Sequence, residues 1–250
     1  MRVVFFFKSN PMNTVYKVTE AELAIARPFA ERRAERSKAF YKKRGNDPKL
    51  VYANCVNGIL GEFKAKIWLD QQFPQHRVSD VVQVVDGVPT WDPDLTITLC
   101  DKNGNETGDE VYVHVKSFVV GKYPEFPDEN GNDRWVTPRS FTFQKTGLGG
   151  GHGDADMARI QTGGNSTDLL VGAILSCEGR ERVPLDAIGD TCRLVGPFIM
   201  QQAVDLNLWK PPASRSHMMQ MTKRVLWVDD LLTQVDVCLN IDVDEDVDED

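Results

Sequence analysis

The chain has 250 residues, 41% of them hydrophobic, and a formal net charge of −8, which is material for one sizeable core rather than a set of small stapled modules. No apolar run reaches the roughly eighteen residues that a membrane-crossing helix needs. The five cysteines (Cys55, Cys100, Cys177, Cys192, Cys238) are scattered without a CxxC pair, a usage that argues against structural zinc and suits free thiols in a reducing, intracellular (cytoplasmic) setting.

In chain order, Met1-Arg-Val-Val-Phe-Phe-Phe7 is apolar but short and lacks a small-residue cleavage site, so it reads as a strand rather than a signal peptide. Thr19 and Glu22 form a capping-box pattern that opens a helix, kinked at Pro28 and continuing to about Arg44. Residues 27–49 concentrate nine lysines and arginines. Arg32, Arg33, Arg36, Lys42, Lys43 and Arg44 among them could track a phosphate backbone, and a solvated helix face accounts for them equally well. A second helix runs from about Pro48 to Phe73, with Val51, Cys55, Ile59, Phe63 and Ile67 spaced four apart and Glu62 beside that stripe.

Three strands follow. The first, Val78–Val85, is rich in β-branched residues. The second, Asp94–Leu99, alternates Leu95, Ile97 and Leu99 against Asp94, Thr96 and Thr98. After an Asn103-Gly104 turn, Glu110–Val119 alternates again, which sets Tyr112, His114 and Lys116 on the face opposite Val111, Val113 and Val115. A loop-rich stretch from Tyr123 to Gly153 contains a short strand at Phe141–Phe143, then Gln144-Lys145, and a Gly147–Gly153 loop without a phosphate-loop ending. Asp154 caps a short helix through Ile160. Asp168 introduces a buried apolar strand, Leu169–Leu175, and Arg193–Met200 reads as another. Residues 222–235 are mixed.

Ile241 to Asp250 carry seven acids and no base, so the rest of the chain sums to −1. Repelling acids that bury nothing predict a disordered end. The expected organisation is residues 1–47 as an N-terminal strand and basic helix, a DNA-binding addition; 48–200 as the core; 201–238 as an extension packed on it; and 239–250 as the acidic tail.

The order helix, three strands, short helix, strand, together with Pro93-Asp94 and His114-Val-Lys116, resembles the PD-(D/E)xK nuclease superfamily over roughly residues 48–176. The resemblance implies a mixed α/β fold with a restriction-endonuclease-like core of order αβββαβ, its central mixed sheet flanked by helices. It further implies Mg²⁺ or Mn²⁺ held by Asp94, His114 and Glu62, with Lys116 orienting or helping to deprotonate the attacking water. His114 stands where the family has an acid. A neutral imidazole lowers the site's negative charge and should favour Mn²⁺ over the harder Mg²⁺. Lys145 lies where some members of the superfamily add a polar active-site residue.

The function expected on this reading is metal-dependent endonucleolytic hydrolysis of DNA, in which the metal lowers the pKa of a bound water and offsets phosphate charge. Cutting both strands symmetrically would require two sites and hence a homodimer. Two other readings stand beside it: a non-catalytic nucleic-acid-binding or regulatory protein keeping the fold with a decayed site, which His114 favours, and an interaction protein acting through its acidic tail. No membrane partner is expected.

Overall fold

The computed structural model describes residues 2–7, 15–42, 47–81, 94–127, 133–136, 140–144, 168–180, 183–184, 186–208 and 223–244. Lys43, Arg44, Lys145, the Gly147–Gly153 loop, the expected helix at 154–160, most of the expected strand after Val78, and Trp91–Pro93 lie outside them. So do the side chains of Arg33, Arg36 and Lys42.

Strands β1 (Arg2–Phe7) and β2 (Val15–Lys17) precede two long helices, α1 (Glu20–Lys42) and α2 (Pro48–Gln72). The capping box forms as expected, with the Glu22 carboxylate accepting from Thr19 N–H at 2.8 Å and Thr19 Oγ1 accepting from Glu22 N–H at 3.3 Å. Pro28 sits inside α1, which is a single assigned helix across it. Asp47 caps α2 through Lys49 N–H, and Pro48 takes the first turn, where a missing amide hydrogen costs nothing.

Positions four apart drift around a helix of 3.6 residues per turn. The stripe predicted on α2 therefore begins buried at Val51 and ends exposed at Ile67. The buried surface of α2 is much broader than one stripe, because α1 covers one side of it through Ala26 and Ala30 while the sheet covers another.

The sheet contains β3 (Arg77–Val78), β4 (Leu95–Cys100), β5 (Glu106–Pro127), β8 (Leu169–Ser176) and β9 (Thr191–Ile199), in the order β2-β9-β8-β5-β4-β3. A further strand, β6 (Asp133–Val136), pairs with β5 beyond Gly121. Of these contacts only β5 with β8 is parallel; β3-β4, β4-β5, β8-β9 and β9-β2 are antiparallel. This is a mixed α/β architecture. Separately, β7 (Ser140–Gln144) pairs with β10 (Lys223–Trp227).

One sheet face carries Leu95, Ile97, Val113, Val115, Val171, Ala173 and Leu194, which join α2 and α1 in the main core. The other carries Leu170, Val195 and Phe198, which pack with residues of α3 (Met200–Asp205) and α4 (Val228–Gln234) in a smaller core.

The disorder expected from residue 239 is corrected as far as Asp244; residues 245–250 lie outside the described residues. Cys238–Asp244 forms β11, paired antiparallel with β1 from Arg2↔Asp244 to Phe7↔Cys238. Counting charge conceals the period of two in Asn240-Ile-Asp-Val-Asp244, a strand pattern whose acids fall on alternate positions. Ile241 is fully buried in the main core. His76 fastens it. Its Nδ1 accepts from Cys100 N–H at 3.1 Å, so the proton must sit on Nε2, which donates to the Ile241 carbonyl at 2.7 Å.

Candidate active site

The site begins with the register of β4 on β5. Leu95 lies opposite Val113 and Thr96 opposite Tyr112, so Asp94, the residue before the strand, falls opposite His114. Directly opposed residues share a face, with Cβ atoms about 4.5–5.5 Å apart. Lys116 follows two residues along that face. The Asp94 carboxylate does not merely point outward: its Oδ2 accepts from Val115 N–H at 2.7 Å. The Asp94 carboxylate thus satisfies a β5 donor just past the last described β4 pair.

Among the described residues, β4 pairing ends at Val113 and β6 pairing begins at Gly121. Between them, from His114 to Val120, β5 is laddered only to β8. A stretch of edge with polar side chains at its start is suited to receive an extended, charged substrate.

His114 is buried, and Lys116 is half-buried. On the side away from Asp94, His114 Nε2 stands 3.4 Å from Asp168 Oδ2. Asp168 is fully buried at the entry to β8. The parallel register Val113↔Leu169 sets it opposite Tyr112, on the same face as His114. Its own carbonyl accepts from Met200 N–H at 2.9 Å, which ties the turn to α3. A buried carboxylate is costly unless it is paired and hydrogen-bonded, and the imidazole supplies that partner.

Asp94 is thus joined to β5 at Val115, between His114 and Lys116 in the chain, and Asp168 lies beside His114 from β8. Glu62 is buried on α2, and at Gly61, next to it along the helix, an added Cβ would lie 2.0 Å from the Oγ of Ser117, which follows Lys116 on β5. Among the described residues, no group of three or more His, Cys, Asp or Glu side chains could hold a metal ion. Asp94 and His114 nevertheless offer the donor types that Mn²⁺ accepts, one carboxylate oxygen and one ring nitrogen. Divalent ions of this kind commonly complete their shell with water and substrate phosphate oxygens.

Of the basic residues on α1, Arg32 is exposed and its guanidinium lies 4.6 Å from the centroid of the Phe29 ring. No described helix is long and apolar enough to cross a membrane.

No protein family, no curated protein and no solved structure matches the chain.

Proposed function

We propose that the chain is a divalent-metal-dependent nuclease of the PD-(D/E)xK kind, acting on DNA. The observation that carries this is the Asp94 carboxylate bonded to Val115 N–H, between His114 and Lys116 on β5, beside an edge that no described strand occupies. The surrounding topology supports it: a helix, three antiparallel strands, then a strand parallel to the third.

In this proposal Asp94 and His114 hold Mn²⁺ or Mg²⁺, and α1, with Arg32 on its exposed side, lies along the nucleic-acid backbone. The bound ion supplies Lewis acidity, which lowers the pKa of a water and screens phosphate charge. Lys116 carries a positive charge at the same place and orients the attacking water, or stabilises the crowded phosphate as negative charge builds. The Val115 N–H fixes the Asp94 carboxylate before any substrate arrives, which lowers the reorganisation required on binding. Glu62, on the α2 side, is left outside this pair of ligands.

A second reading rests on a specific observation. Asp94 Oδ2 and His114 Nε2 each already have a protein partner, as expected of a nuclease-like fold that binds nucleic acid without cutting it. Supercoiled plasmid incubated with the pure protein and Mn²⁺ separates the two. The nuclease reading expects nicking that Lys116→Ala abolishes while DNA binding survives, and that Asp94→Ala abolishes together with Mn²⁺ binding. Cleavage unchanged by both substitutions would refute it.

A further inference from the structure

We propose that His76 is an acid-sensitive latch: its neutral ring ties the terminal strand pair β1–β11 to the main sheet, and a proton taken up by the ring releases that pair. Its operation does not depend on the nuclease reading.

The ring joins two sheets. The β3–β4 ladder ends at Arg77↔Thr98, and two residues beyond Thr98 the Cys100 N–H finds its acceptor in His76 Nδ1, at 3.1 Å. The other nitrogen, Nε2, stands 2.7 Å from the Ile241 carbonyl in β11. Both partners are backbone groups with fixed roles: the N–H can only donate and the carbonyl can only accept. One neutral tautomer satisfies both, whereas the protonated ring donates from both nitrogens and satisfies only one. A second hydrogen, on Nδ1, would meet the Cys100 N–H donor against donor. The residue is 8% exposed, and a buried donor without an acceptor is costly, so the charged ring must leave its place.

The latched strand has a defined part free to move. Val237, just before β11, bridges Phe198 of β9 and pins the start of the strand. Beyond it, the ring holds the Ile241 carbonyl, to which Gln75 Nε2 adds a longer contact at 3.4 Å. Release would therefore move 238–244 together with Arg2–Phe7, paired along it, and bare the core around Ile241 and Cys238.

The charged groups near the ring are engaged with one another. Arg77, next in the chain, pairs with Glu106 of β5 at 2.6 Å, and both side chains are more than half exposed. On α2, Lys66 pairs with Asp70 at 3.1 Å. Asp101, after Cys100, accepts from Asn103 and Asn105 N–H in its own turn. The strands joined by the ring also carry the thiols Cys100 and Cys238, and Asp242 follows Ile241. Carboxylates ordinarily titrate near about pH 4, thiols above about 8 and imidazoles at about 6.5, so acidification from about pH 7.5 to 5.5 addresses the histidine.

The test follows amide hydrogen exchange in the full chain at about pH 7.5 and 5.5, each rate divided by that of an unstructured peptide at the same pH. Protection across 238–244 should fall about tenfold at the lower pH, the shift expected when an ordinary imidazole binds its proton only in the released state. Strand β8 should keep its protection, which separates release from general unfolding. His76→Gln offers an amide acceptor and donor that do not titrate, so it should remove the pH dependence. Nitrogen NMR of the wild-type ring, assigned through the backbone, should show hydrogen on Nε2 at the higher pH and ring protonation in step with the loss of protection.

Protection unchanged between the two pH values overturns the proposal, as does a ring that takes up its proton with β11 still protected. A His76→Gln protein that loosens with acid as the wild type does overturns it too, since another group then titrates. Should His76→Gln fail to fold, the wild-type ring and strand, followed together, decide the matter.

Discussion

Replacing Glu22 by glutamine tests how α1 is held on α2. Lys64 Nζ lies 2.5 and 2.7 Å from the two Glu22 oxygens, with the side chains 4% and 15% exposed respectively. The substitution leaves an ammonium group buried without its counter-charge. Breaking one side of a buried pair costs about 3–5 kcal/mol. The lower end applies here, because glutamine keeps an acceptor and Glu22 retains some contact with water. About 3 kcal/mol in a chain of this size lowers Tm by about 6–12 °C. Replacing both partners, as Glu22→Gln/Lys64→Met, should recover most of the loss, since the charge is removed with its partner.

Acid adds an independent check on the same pair. Burial pushes the Glu22 carboxyl up, but the hydrogen bonds from Lys64 and Thr19 outweigh it and hold the group below its ordinary value of 4.5. The carboxylate's contribution is therefore fully present above the unfolded value and is lost as pH falls through the lower folded one. The gap between wild type and Glu22→Gln, measured by urea unfolding, should be constant near neutrality and narrow as pH falls below the ordinary value of 4.5. A Glu22→Gln protein within about 0.5 kcal/mol of wild type, or a double variant less stable than the single, would refute a coupled pair.

Gly61→Ala should cost about 1–3 kcal/mol from overpacking against Ser117 and Ala173, partly offset by about 1 kcal/mol of helix propensity. Ser117→Ala removes a buried hydroxyl that has no partner among the described residues; it should raise stability by about 1 kcal/mol and soften Gly61→Ala, as a double-mutant cycle in urea would read. His76→Ala leaves the Cys100 N–H and the Ile241 carbonyl without their ring partner, so amide hydrogen exchange should quicken across 238–244 before the main sheet responds. Of the five free thiols only Cys55 is not fully buried, and burial pushes Cys192 up to about 12; an aromatic disulfide reagent at pH 8 should titrate one thiol quickly and the rest only on unfolding.

Much of the fold was legible because it is written in short periods. The capping pair Thr19/Glu22 and the Asp47-Pro48 step mark helix starts through local hydrogen bonds, and the alternation in β4 and β5 gave the correct buried sets, Leu95, Ile97, Leu99 and Val111, Val113, Val115. What the sequence concealed depends on partners distant in the chain. Strand β11 exists because β1, more than 230 residues earlier, pairs with it. Asp168 could be read only as the acid before an apolar run; that the run lies beside β5 in parallel register, and so places Asp168 against His114, is a property of sheet order.

The site and the core are fixed by one choice of register. Val113 is laddered to Leu95 on one side and to Leu169 on the other, and both neighbours are fully buried beneath α2. A slip of β5 by one residue would turn His114 and Lys116 into that core and bring Val113 and Val115 out of it. Burying an unpaired ammonium and losing two valines would each be costly, so the face on which His114 and Lys116 lie is enforced by the apolar side chains that alternate with them. On the other face, Phe118 and Ile174 pack into the smaller core under α3 and α4. That core also holds Leu170, laddered to His114, so it reaches the start of the polar stretch from His114 to Lys116, beside an edge of β5 that no described strand occupies.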